Sequence, residues 1–326
     1  MRASTEAPAW IGVDWGSSNL RAWAMSASGD VLDRGGSTQG MLSLTPAGYE
    51  AALLAMIGDW LPEAGTLDVL ICGMAGARQG WVEAPYRQVP AHLDRLAEGA
   101  VAPTVESARL RVGLLPGLCQ QEDVSGRAFD VMRGEETQLA GLVAEAPAFT
   151  GTVCLPGTHA KWARLVAGEL TGFTTYLTGE LYRLLAERSV LAHSVSSSSG
   201  GDALADPACA SAFVAAVQES AAAPERFSAR LFGIRARDLV DDALPAGEHR
   251  GTRLAARLSG LVIGLELAGA RTDLHRDDIV TLVGDEALCA RYALALETLG
   301  IANRRIDPER AVLAGLGLAR TRLATS

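Results

Sequence analysis

Short apolar runs separated by glycine and small polar turns open the chain. Residues 10–15 are almost all apolar and lead into Gly16, which predicts a buried strand that ends in a tight turn. Residues 20–25 and 31–34 predict two more strands, joined by turn-forming residues at 28–30. The chain is therefore expected to begin with a three-stranded meander.

The same pattern returns in the second half. Apolar runs separated by two turns recur at residues 153–155, 161–166 and 170–176. Aligning Gly16 with Gly157 superimposes the two meanders, so the sequence predicts an internal duplication of one strand-turn-strand unit. Two similar α/β lobes would result.

Helical spacing of apolar residues dominates the rest of the chain. It predicts helices at residues 47–61, 203–222, 226–232, 252–270 and 286–299, and buried strands at 67–72 and 279–283. The second of these strands ends in Gly284 and Asp285, where backbone N–H groups and the positive end of a helix suit a nucleotide. Residues 314–318 are expected to open or break a last helix, and the low-complexity run 196–201 to form a surface loop.

Length and composition narrow the class of protein. A chain of 326 residues exceeds what one core usually serves, so two domains are expected, residues 1–140 and 141–326. The net charge of -9 and the 5% aromatic content argue against a nucleic-acid partner. The most apolar stretch, residues 260–270, is too short to span a bilayer, so no membrane association is expected. Five scattered cysteines predict reduced thiols in a cytoplasmic protein.

Asp14 and the small residues after it form the first candidate site. A carboxylate at the end of a strand can hold Mg²⁺, and Gly16 lets a polyphosphate approach the backbone. The N–H groups and hydroxyls of Ser17 and Ser18 can then bond the phosphates. The competing interpretation is an aspartate that only caps a turn, which is common at strand ends.

Lys161 is the one lysine among 29 lysine and arginine residues. A compact, mobile ammonium suits a phosphate or carboxylate oxygen, whereas a guanidinium is a rigid fork. Leu155 occupies the position before the second turn that Asp14 has before the first, so Lys161 and His159 are candidates to supply charge beside the Gly157-Thr158 turn. Alternatively, Lys161 is a stray residue on a strand edge and His159 a hydrogen-bonding group that stabilises the turn.

Glu135 and Glu136 stand at a predicted helix start. Adjacent helical residues point about 100° apart, so at most one of the two carboxylates can face a cleft. That carboxylate could accept the proton of a hydroxyl that attacks a phosphoryl group. Alternatively, the pair complements the positive end of the helix dipole and does no more.

Three arginines are candidates to hold a substrate carboxylate. Arg78 lies in a loop rich in glycine, residues 73–81, which can place a guanidinium where it grips a carboxylate through two hydrogen bonds. Arg21 and Arg133 are second choices, because each can equally serve in a surface or structural ion pair.

Four segments together resemble one family, the 2-oxo-3-deoxygalactonate kinases. They are residues 13–23, 72–86, 132–138 and 155–162. The resemblance implies an α/β, two-lobed ribonuclease-H-like fold of the actin and sugar-kinase superfamily, with duplicated mixed sheets and a central cleft. It also implies ATP and Mg²⁺ as cosubstrates, and phosphorylation of 2-dehydro-3-deoxy-D-galactonate at its terminal hydroxyl in galactonate catabolism.

The resemblance also implies roles for the motifs. Residues 14–18 would be the first phosphate motif, with Asp14 holding the metal, residues 157–161 the second, and Gly284-Asp285 the adenosine region. The segment 133–136 is similar to the Gly-x-Glu-Glu element of the exopolyphosphatases in the same superfamily, where a glutamate assists the attacking nucleophile. The N-terminal lobe would bind the sugar acid and phosphate, and the C-terminal lobe the nucleotide.

Several alternatives remain open at this point. The general base is Asp14, Glu135 or Glu136. A phosphohydrolase of the same superfamily, acting on polyphosphate or a nucleotide, is the nearest rival, although the acidic composition does not suggest the basic channel that it would need. A nucleotide-dependent assembly protein similar to the actin relatives is the second rival. Association into a homodimer is also an open expectation.

Overall fold

The computed structural model describes residues 6–122, 128–195, 203–275 and 277–324. Its contacts divide the chain into two compact units. The first consists of Met1–Thr150, Arg164–Phe173 and Pro308–Ser326, and the second of Gly151–Ala163 and Thr174–Asp307. The boundary expected at residue 140, with a sugar-acid lobe before it and a nucleotide lobe after it, stays a prediction. The expected surface loop at 196–201 lies outside the described residues.

Strands and helices alternate along the chain. The described strands are β1 (Trp10–Trp15), β2 (Leu20–Met25), β3 (Val31–Ser37), β4 (Leu67–Gly73), β5 (Tyr86–Gln88), β6 (Ala91–His92), β7 (Leu110–Leu114), β8 (Gly117–Gln120), β9 (Asp130–Met132), β10 (Gly151–Leu155), β11 (Ala160–Val166), β12 (Glu169–Tyr176), β13 (Val280–Val283) and β14 (Asn303–Ile306). The described α-helices are α1 (Tyr49–Ile57), α2 (Glu135–Glu145), α3 (Thr178–Arg188), α4 (Pro207–Ala222), α5 (Phe227–Val240), α6 (Glu248–Ala270), α7 (Glu286–Thr298) and α8 (Pro308–Ala324).

The first unit contains a mixed sheet whose described strands have the order β3-β2-β1-β4-β7. β1 pairs antiparallel with β2 and parallel with β4, and β4 pairs parallel with β7. The predicted meander of β1, β2 and β3 is confirmed, and Gly29 adopts φ 94° in its turn. The register aligns Asp14 with Cys72, so the carboxyl ends of β1 and β4 lie side by side.

An aromatic cluster fixes the carboxyl end of β1. Trp15 is fully buried, and its ring centroid lies 4.8 Å from that of Tyr49 and 6.3 Å from that of Trp81. The indole N–H of Trp15 donates to the backbone oxygen of Gln39 at 2.9 Å. These contacts tie α1 and the loop after β4 to the strand that carries Asp14, so core packing sets the position of this carboxylate.

Two glycines let α8 pack closely on α2. A Cβ added to Gly141 would lie 1.9 Å from the backbone oxygen of Ala311, and one added to Gly315 would lie 2.0 Å from that of Thr137. The prediction that residues 314–318 open or break the last helix is wrong, because α8 runs through this segment without interruption. The small residues instead allow close packing of α8 on α2.

A second mixed sheet repeats the strand order of the first. In the described residues the second sheet has the order β14-β13-β10-β11-β12-β6, and β10, β13 and β14 are parallel neighbours. β6 pairs with Glu169 and Leu170 of β12, which belong to the first unit. Read from β12 to β14, the order is again three consecutive strands followed by two parallel ones. This duplicated mixed sheet is a ribonuclease-H-like arrangement, so the predicted α/β fold class is confirmed.

The long helix α6 forms the centre of the second unit and packs along α4. A Cβ on Gly260 would lie 2.3 Å from the backbone oxygen of Phe213, so the two helices touch almost backbone to backbone. Helix α5 continues to Val240, well past the predicted end at residue 232. Ile234 is its one buried residue, so the apolar period is too weak to mark where the helix ends. No helix in the described ranges is long and apolar enough to cross a membrane.

Candidate active site

Asp14 lies at the carboxyl end of β1, beside the turn formed by Gly16, Ser17 and Ser18. Its side chain is 17% exposed and forms an ion pair with Arg21, the residue opposite it in β2. A backbone hydrogen bond of 2.8 Å from the Gly16 N–H closes the turn, and both serines are exposed. The carboxylate and the turn predicted from the sequence therefore lie next to each other, with a cation that offsets part of the negative charge.

Two glycines bring the start of α2 close to this carboxylate. Gly73 has φ 91°, and a Cβ there would lie 3.4 Å from Oδ1 of Asp14 and 2.5 Å from the backbone oxygen of Trp15. Gly134 has φ 108°, and a Cβ there would lie 3.5 Å from the Gly73 Cα. Both positions require glycine. The end of β4 thus lies between Asp14 and the N-terminus of α2.

Glu135 and Glu136 take different positions at this N-terminus. Glu135 Oε2 accepts a hydrogen bond of 3.1 Å from the backbone N–H of Arg133. Glu136 accepts one from the N–H of Gly134 at 2.5 Å and one from the hydroxyl of Thr137 at 3.0 Å. Both carboxylates therefore satisfy N–H groups near the helix start, as the helix-dipole interpretation expects. Glu136 is 1% exposed and Glu135 is partly exposed, so Glu135 is the one of the two that a ligand can reach.

Burial raises the pKa of two groups in this cluster, Glu136 and Cys72. Burial first, and then the negative charge of Glu135, raise the pKa of Glu136 from 4.5 to about 8. Burial also raises the pKa of the Cys72 thiol, as do the charges of Asp14 and Glu136. The Cys72 sulfur lies 4.0 Å from Oδ1 of Asp14. Asp14 and Glu136 therefore both raise the pKa of the same buried thiol. With a pKa of about 8, Glu136 is largely protonated at neutral pH.

The free energy of unfolding of the wild type is expected to fall as the pH rises, and Glu136→Gln is expected to remove this fall. Between about pH 5 and pH 8 the unfolded chain ionises Glu136 while the folded chain keeps it protonated, so the free energy of unfolding of the wild type falls as the pH rises. The loss reaches up to about 5 kcal/mol and levels off above about pH 9. Urea denaturation across this range should show the variant gaining stability relative to the wild type. Glu83→Gln, at an exposed glutamate, is the control. A stability difference between Glu136→Gln and the wild type that stays constant with pH would contradict the raised pKa of Glu136.

Arg78 and Arg21, two of the three candidates for a substrate carboxylate, are both in ion pairs. The Arg78 side chain is 80% exposed, and its Nε lies 3.3 Å from the Glu83 carboxylate. Arg21 is the partner of Asp14, and its guanidinium lies 5.7 Å from the ring centroid of Trp23. These contacts match the ion-pair interpretation, and the substrate roles of both arginines stay predictions.

Arg133 is the buried candidate, with 9% of its surface exposed. Its Nη2 donates to the backbone oxygen of Ala84 at 2.8 Å, and its guanidinium lies 4.3 Å from the ring centroid of Tyr86. Within the described chain, Nε and Nη1 have no hydrogen-bond partner and no carboxylate pairs with the guanidinium. A buried cation without a counter-charge is costly. Arg133 therefore gains more from a ligand carboxylate than Arg78 does.

The second turn, Gly157 and Thr158, lies against the start of α3. A Cβ on Gly179 would lie 2.5 Å from the Gly157 backbone oxygen, so glycine is required there. The Glu180 N–H donates to the Thr158 backbone oxygen at 3.0 Å, and the Glu180 carboxylate lies 2.6 Å from Nε2 of His159. His159 thus ties the turn to the helix. A contact of His159 with phosphate stays a prediction.

A pocket of about 520 Å³ opens beside this turn within the second unit, a size that suits a small-molecule ligand. Its lining includes Gly157, Thr158, Thr178, Tyr182, Val262, Ile263, Asp285, Leu288, Arg291 and Tyr292. The N-termini of α3 and α7 both reach it, and no side chain caps α3. Uncapped N–H groups attract an anion, while the aliphatic side chains suit a flat base. The pocket can therefore accept a molecule with an apolar part and an anionic part.

The predicted adenosine region lies beside the same turn. Asp285 lines the pocket and caps α7, since its Oδ1 accepts a hydrogen bond of 3.0 Å from the Leu288 N–H. A Cβ on Gly284 would lie 3.2 Å from the backbone oxygen of Pro156, so the end of β13 lies close to the second turn. The structure thus brings Gly284 and Asp285 together with Gly157, although their contact with adenosine stays a prediction.

Lys161 is buried in β11, with 5% of its surface exposed. β11 lies between β10 and β12, so Lys161 is not on a sheet edge. Its ammonium makes no hydrogen bond or ion pair within the described ranges. A largely buried lysine whose ammonium has no ionic partner suits an anionic ligand. The phosphate role predicted for Lys161 thus gains a physical reason, but it stays a prediction.

Sequence reasoning missed Thr178 and Tyr292, which line the pocket in the second unit, and Glu266, which accepts hydrogen bonds from both. The sequence signal was a single acid inside the apolar stretch 260–270. Nothing in the local pattern could have paired this acid with hydroxyls on two other helices.

The described residues contain no group of three or more His, Cys, Asp and Glu side chains that could hold a metal ion. Mg²⁺ usually keeps several waters and binds one or two carboxylates together with substrate phosphates. Asp14, with its partly exposed carboxylate beside the first turn, fits an ion of that kind. The residues present fit Mg²⁺ that arrives with a nucleotide better than an ion held by protein ligands alone.

A family model described as 2-keto-3-deoxy-galactonokinase matches residues 14–319, from the candidate carboxylate in β1 to the last helix. The chain belongs to this family. The resemblance drawn from the sequence is confirmed, and with it the class of enzyme, a sugar-acid phosphotransferase.

Two curated relatives and one solved structure agree with membership of the 2-keto-3-deoxy-galactonokinase family. A protein of Rhizobium meliloti (strain 1021), named "probable 2-dehydro-3-deoxygalactonokinase", is 39% identical over 315 residues, 97% of either chain. The 2-dehydro-3-deoxygalactonokinase of Escherichia coli (strain K12) is 32% identical over 307 residues, 94% of this chain and 96% of the relative. A crystal structure of a candidate 2-dehydro-3-deoxygalactonokinase from Sinorhizobium meliloti has a TM-score of 0.81 at 36% identity, covering 96% of this chain and 99% of that one.

Proposed function

We propose that this protein transfers the γ-phosphoryl group of ATP to the terminal hydroxyl of 2-dehydro-3-deoxy-D-galactonate, giving the 6-phosphate in galactonate catabolism. The family match over residues 14–319 is the observation that carries the activity. The names of two relatives, each aligned over more than nine-tenths of the chain, support the substrate. The chemistry needs mainly positioning and charge, because little covalent work falls to the protein in phosphoryl transfer.

Asp14 and the first turn are proposed to act on the phosphates. Mg²⁺, when bound with ATP, offsets charge on the phosphate oxygens. Asp14 would hold that ion directly or through water, and the ion pair with Arg21 keeps its carboxylate in place at the end of β1. The Gly16 backbone and the exposed hydroxyls of Ser17 and Ser18 would bond phosphate oxygens.

Glu135 is proposed to be the general base. As the terminal hydroxyl oxygen of the sugar acid attacks the γ-phosphorus, its proton passes to the Glu135 carboxylate, and ADP leaves with the bond to the γ-phosphorus broken. Glu136 is less suited because it is 1% exposed and has a pKa of about 8, so it is already protonated at neutral pH. Asp14 is less suited because Arg21 occupies its carboxylate.

Arg133 is proposed to offset the charge of the substrate carboxylate. Its guanidinium has two N–H groups without a partner in the described chain, and it lies near the start of α2 that carries Glu135. The Tyr86 ring covers the guanidinium and is itself 40% exposed, so a small shift of the ring would admit a carboxylate.

The pocket of the second unit is proposed to bind the nucleotide. The Gly157-Thr158 turn and Lys161 would contact phosphate groups, with His159 holding the turn, and the Gly284-Asp285 segment would lie near the adenosine. The support is the pocket lining, the uncapped start of α3 and the unpaired ammonium of Lys161. That both turns hold the same triphosphate stays a prediction.

An ADP-release assay over a panel of sugar acids tests the proposal. ADP is expected with ATP, Mg²⁺ and 2-dehydro-3-deoxy-D-galactonate together, with little formed when the sugar acid is omitted. Mass spectrometry of the product should show a singly phosphorylated sugar acid, and the epimeric keto acid measures selectivity. Release of inorganic phosphate from ATP or polyphosphate at the same rate with and without sugar acid would favour the phosphohydrolase instead.

A homodimer and a cytoplasmic location remain proposals as well. Exposed apolar side chains on α5, at Phe232, Leu239 and Val240, support association with a second copy, which sedimentation equilibrium would test. The five free cysteines support a reducing compartment.

A further inference from the structure

Glu266 in α6 is a buried carboxyl group that bonds two lining residues of the pocket in the second unit, Thr178 and Tyr292. It is 2% exposed, and three donors converge on it within the described chain. The Trp162 indole N–H donates to Oε1 at 2.6 Å, the Tyr292 hydroxyl donates to Oε2 at 2.6 Å, and the Thr178 hydroxyl also donates to Oε2. In the described ranges no lysine, arginine or histidine pairs with it.

Burying a carboxyl group with no cation beside it costs free energy, so its presence in the core calls for a reason. Burial raises the pKa of Glu266, and the hydrogen bonds from Thr178, Tyr292 and Trp162 oppose that rise. A buried carboxylate without a cation contributes little or nothing to net stability, and apolar residues of similar size often serve a core better. Three hydrogen bonds that converge on one carboxyl group do, however, fix the orientation of the groups that make them.

The donors come from three elements, and two of them line the pocket. Thr178 is the first residue of α3 and Tyr292 lies in α7. The residue after Thr178, Gly179, approaches the backbone oxygen of Gly157 so closely that a Cβ would lie 2.5 Å from it. Holding Thr178 therefore also holds the uncapped N-terminus of α3 against the second turn, where an anion would bind.

We propose that Glu266 is a positioning residue for the nucleotide. It fixes the start of α3 and the pocket face of α7 at the spacing that the nucleotide needs, and it touches neither the phosphate that is transferred nor the sugar acid. This inference rests on the proposed use of the pocket for ATP. Loss of the contact should therefore weaken nucleotide binding while the rate of phosphoryl transfer at saturating ATP changes little.

Two substitutions at Thr178 isolate this one contact, because Glu266 keeps its hydrogen bonds from Trp162 and Tyr292. Thr178→Val keeps the shape of the side chain but loses the hydroxyl, and Thr178→Ser keeps the hydroxyl. Thr178→Val is expected to raise the Kd and the KM for ATP about tenfold, with kcat within about threefold of wild type. Thr178→Ser should stay within about threefold of wild type in all three quantities. Glu266→Gln is expected to raise the Kd at least as much as Thr178→Val.

Thr152→Val is the matched control in the same unit. The Thr152 hydroxyl lies 3.2 Å from the Asp278 carboxylate, away from the pocket lining, so its loss should change Tm without changing the Kd for ATP. Calorimetric binding of ATP to the full chain gives the Kd independently of turnover. Equal Kd values for wild type and Thr178→Val, or equal weakening by Thr152→Val, would overturn the positioning role. Absence of ATP binding to the wild type would overturn the proposed function itself.

Discussion

Asp14→Asn is expected to lower kcat by about 100- to 1,000-fold, with the fold intact. The substitution removes the negative charge beside the first turn while keeping the size of the side chain, and the loss of one electrostatic contact to a reacting phosphoryl group typically has an effect of this size. The Arg21 guanidinium, which pairs with Asp14 in the wild type, would then be left facing the same space. The ADP-release assay at saturating ATP and sugar acid measures kcat, and circular dichroism checks the fold.

Asp68→Asn is the matched control for this substitution. Asp68 lies in β4 of the same sheet and pairs with Arg111, with both partners substantially exposed. Exposed ion pairs contribute at most about 1 kcal/mol. The control should therefore keep kcat within about twofold of wild type. If Asp14→Asn changes Tm and leaves kcat intact, Asp14 only caps the turn, which is the structural alternative for this residue.

The strands and turns that position Asp14 could be predicted from the sequence because their signals are local. The apolar run before Gly16 and the turn at Gly29 follow from side-chain alternation and from the conformational freedom of glycine. The duplication was visible for the same reason, since both halves repeat the pattern. The strand order in the five-stranded and six-stranded sheets, by contrast, depends on pairing over long sequence separations.

The surroundings of the charged side chains could not be predicted from the sequence. Arg78 is exposed and paired with Glu83, whereas Arg133 is buried on Tyr86, although both arginines follow short apolar segments. Glu266 meets its donors across large gaps in the chain, as with Trp162, 104 residues away. Periodicity describes which face of an element is buried, but it does not say which polar groups meet there.

The glycines of the last helix show a second limit of prediction from a single sequence. A local pattern with Gly315 and Gly317 favours a helix break, because glycine costs about 1 kcal/mol in a helix interior. In the structure Gly315 lies against the backbone oxygen of Thr137, so close packing of α8 on α2 offsets that cost. Tertiary contacts decide the outcome at such positions, and a single sequence does not display them.

Choosing between the two adjacent glutamates as the candidate general base likewise required the structure. From the sequence, Glu135 and Glu136 differ only by a rotation around the helix axis. The structure separates them, because Glu136 turns back to the Gly134 N–H and the Thr137 hydroxyl and is buried, whereas Glu135 stays partly exposed. This difference in exposure is the reason that Glu135 is the proposed proton acceptor.

Glu135→Gln is accordingly expected to lower kcat by about 100- to 10,000-fold, the range in which a positioned general base contributes to proton transfer. A glutamine cannot accept the hydroxyl proton, but its oxygen can still accept the hydrogen bond from the Arg133 N–H, so α2 should begin as before. The Kd values for ATP and for the sugar acid, measured by calorimetry, are therefore expected to stay within about threefold of wild type. The loss would then lie in the chemical step.

Glu136→Gln is the neighbouring comparison, with an expected loss of kcat below about tenfold, since a protonated Glu136 and a glutamine differ little in shape and charge. The pH dependence of kcat sharpens the distinction. If Glu136 were the base, wild-type kcat would rise with pH up to its pKa of about 8, and Glu136→Gln would abolish both the rise and the activity. This pH dependence, together with near-normal turnover by Glu135→Gln, would make Glu136 the general base. The start of α2 would then have to expose the Glu136 side chain when substrate binds.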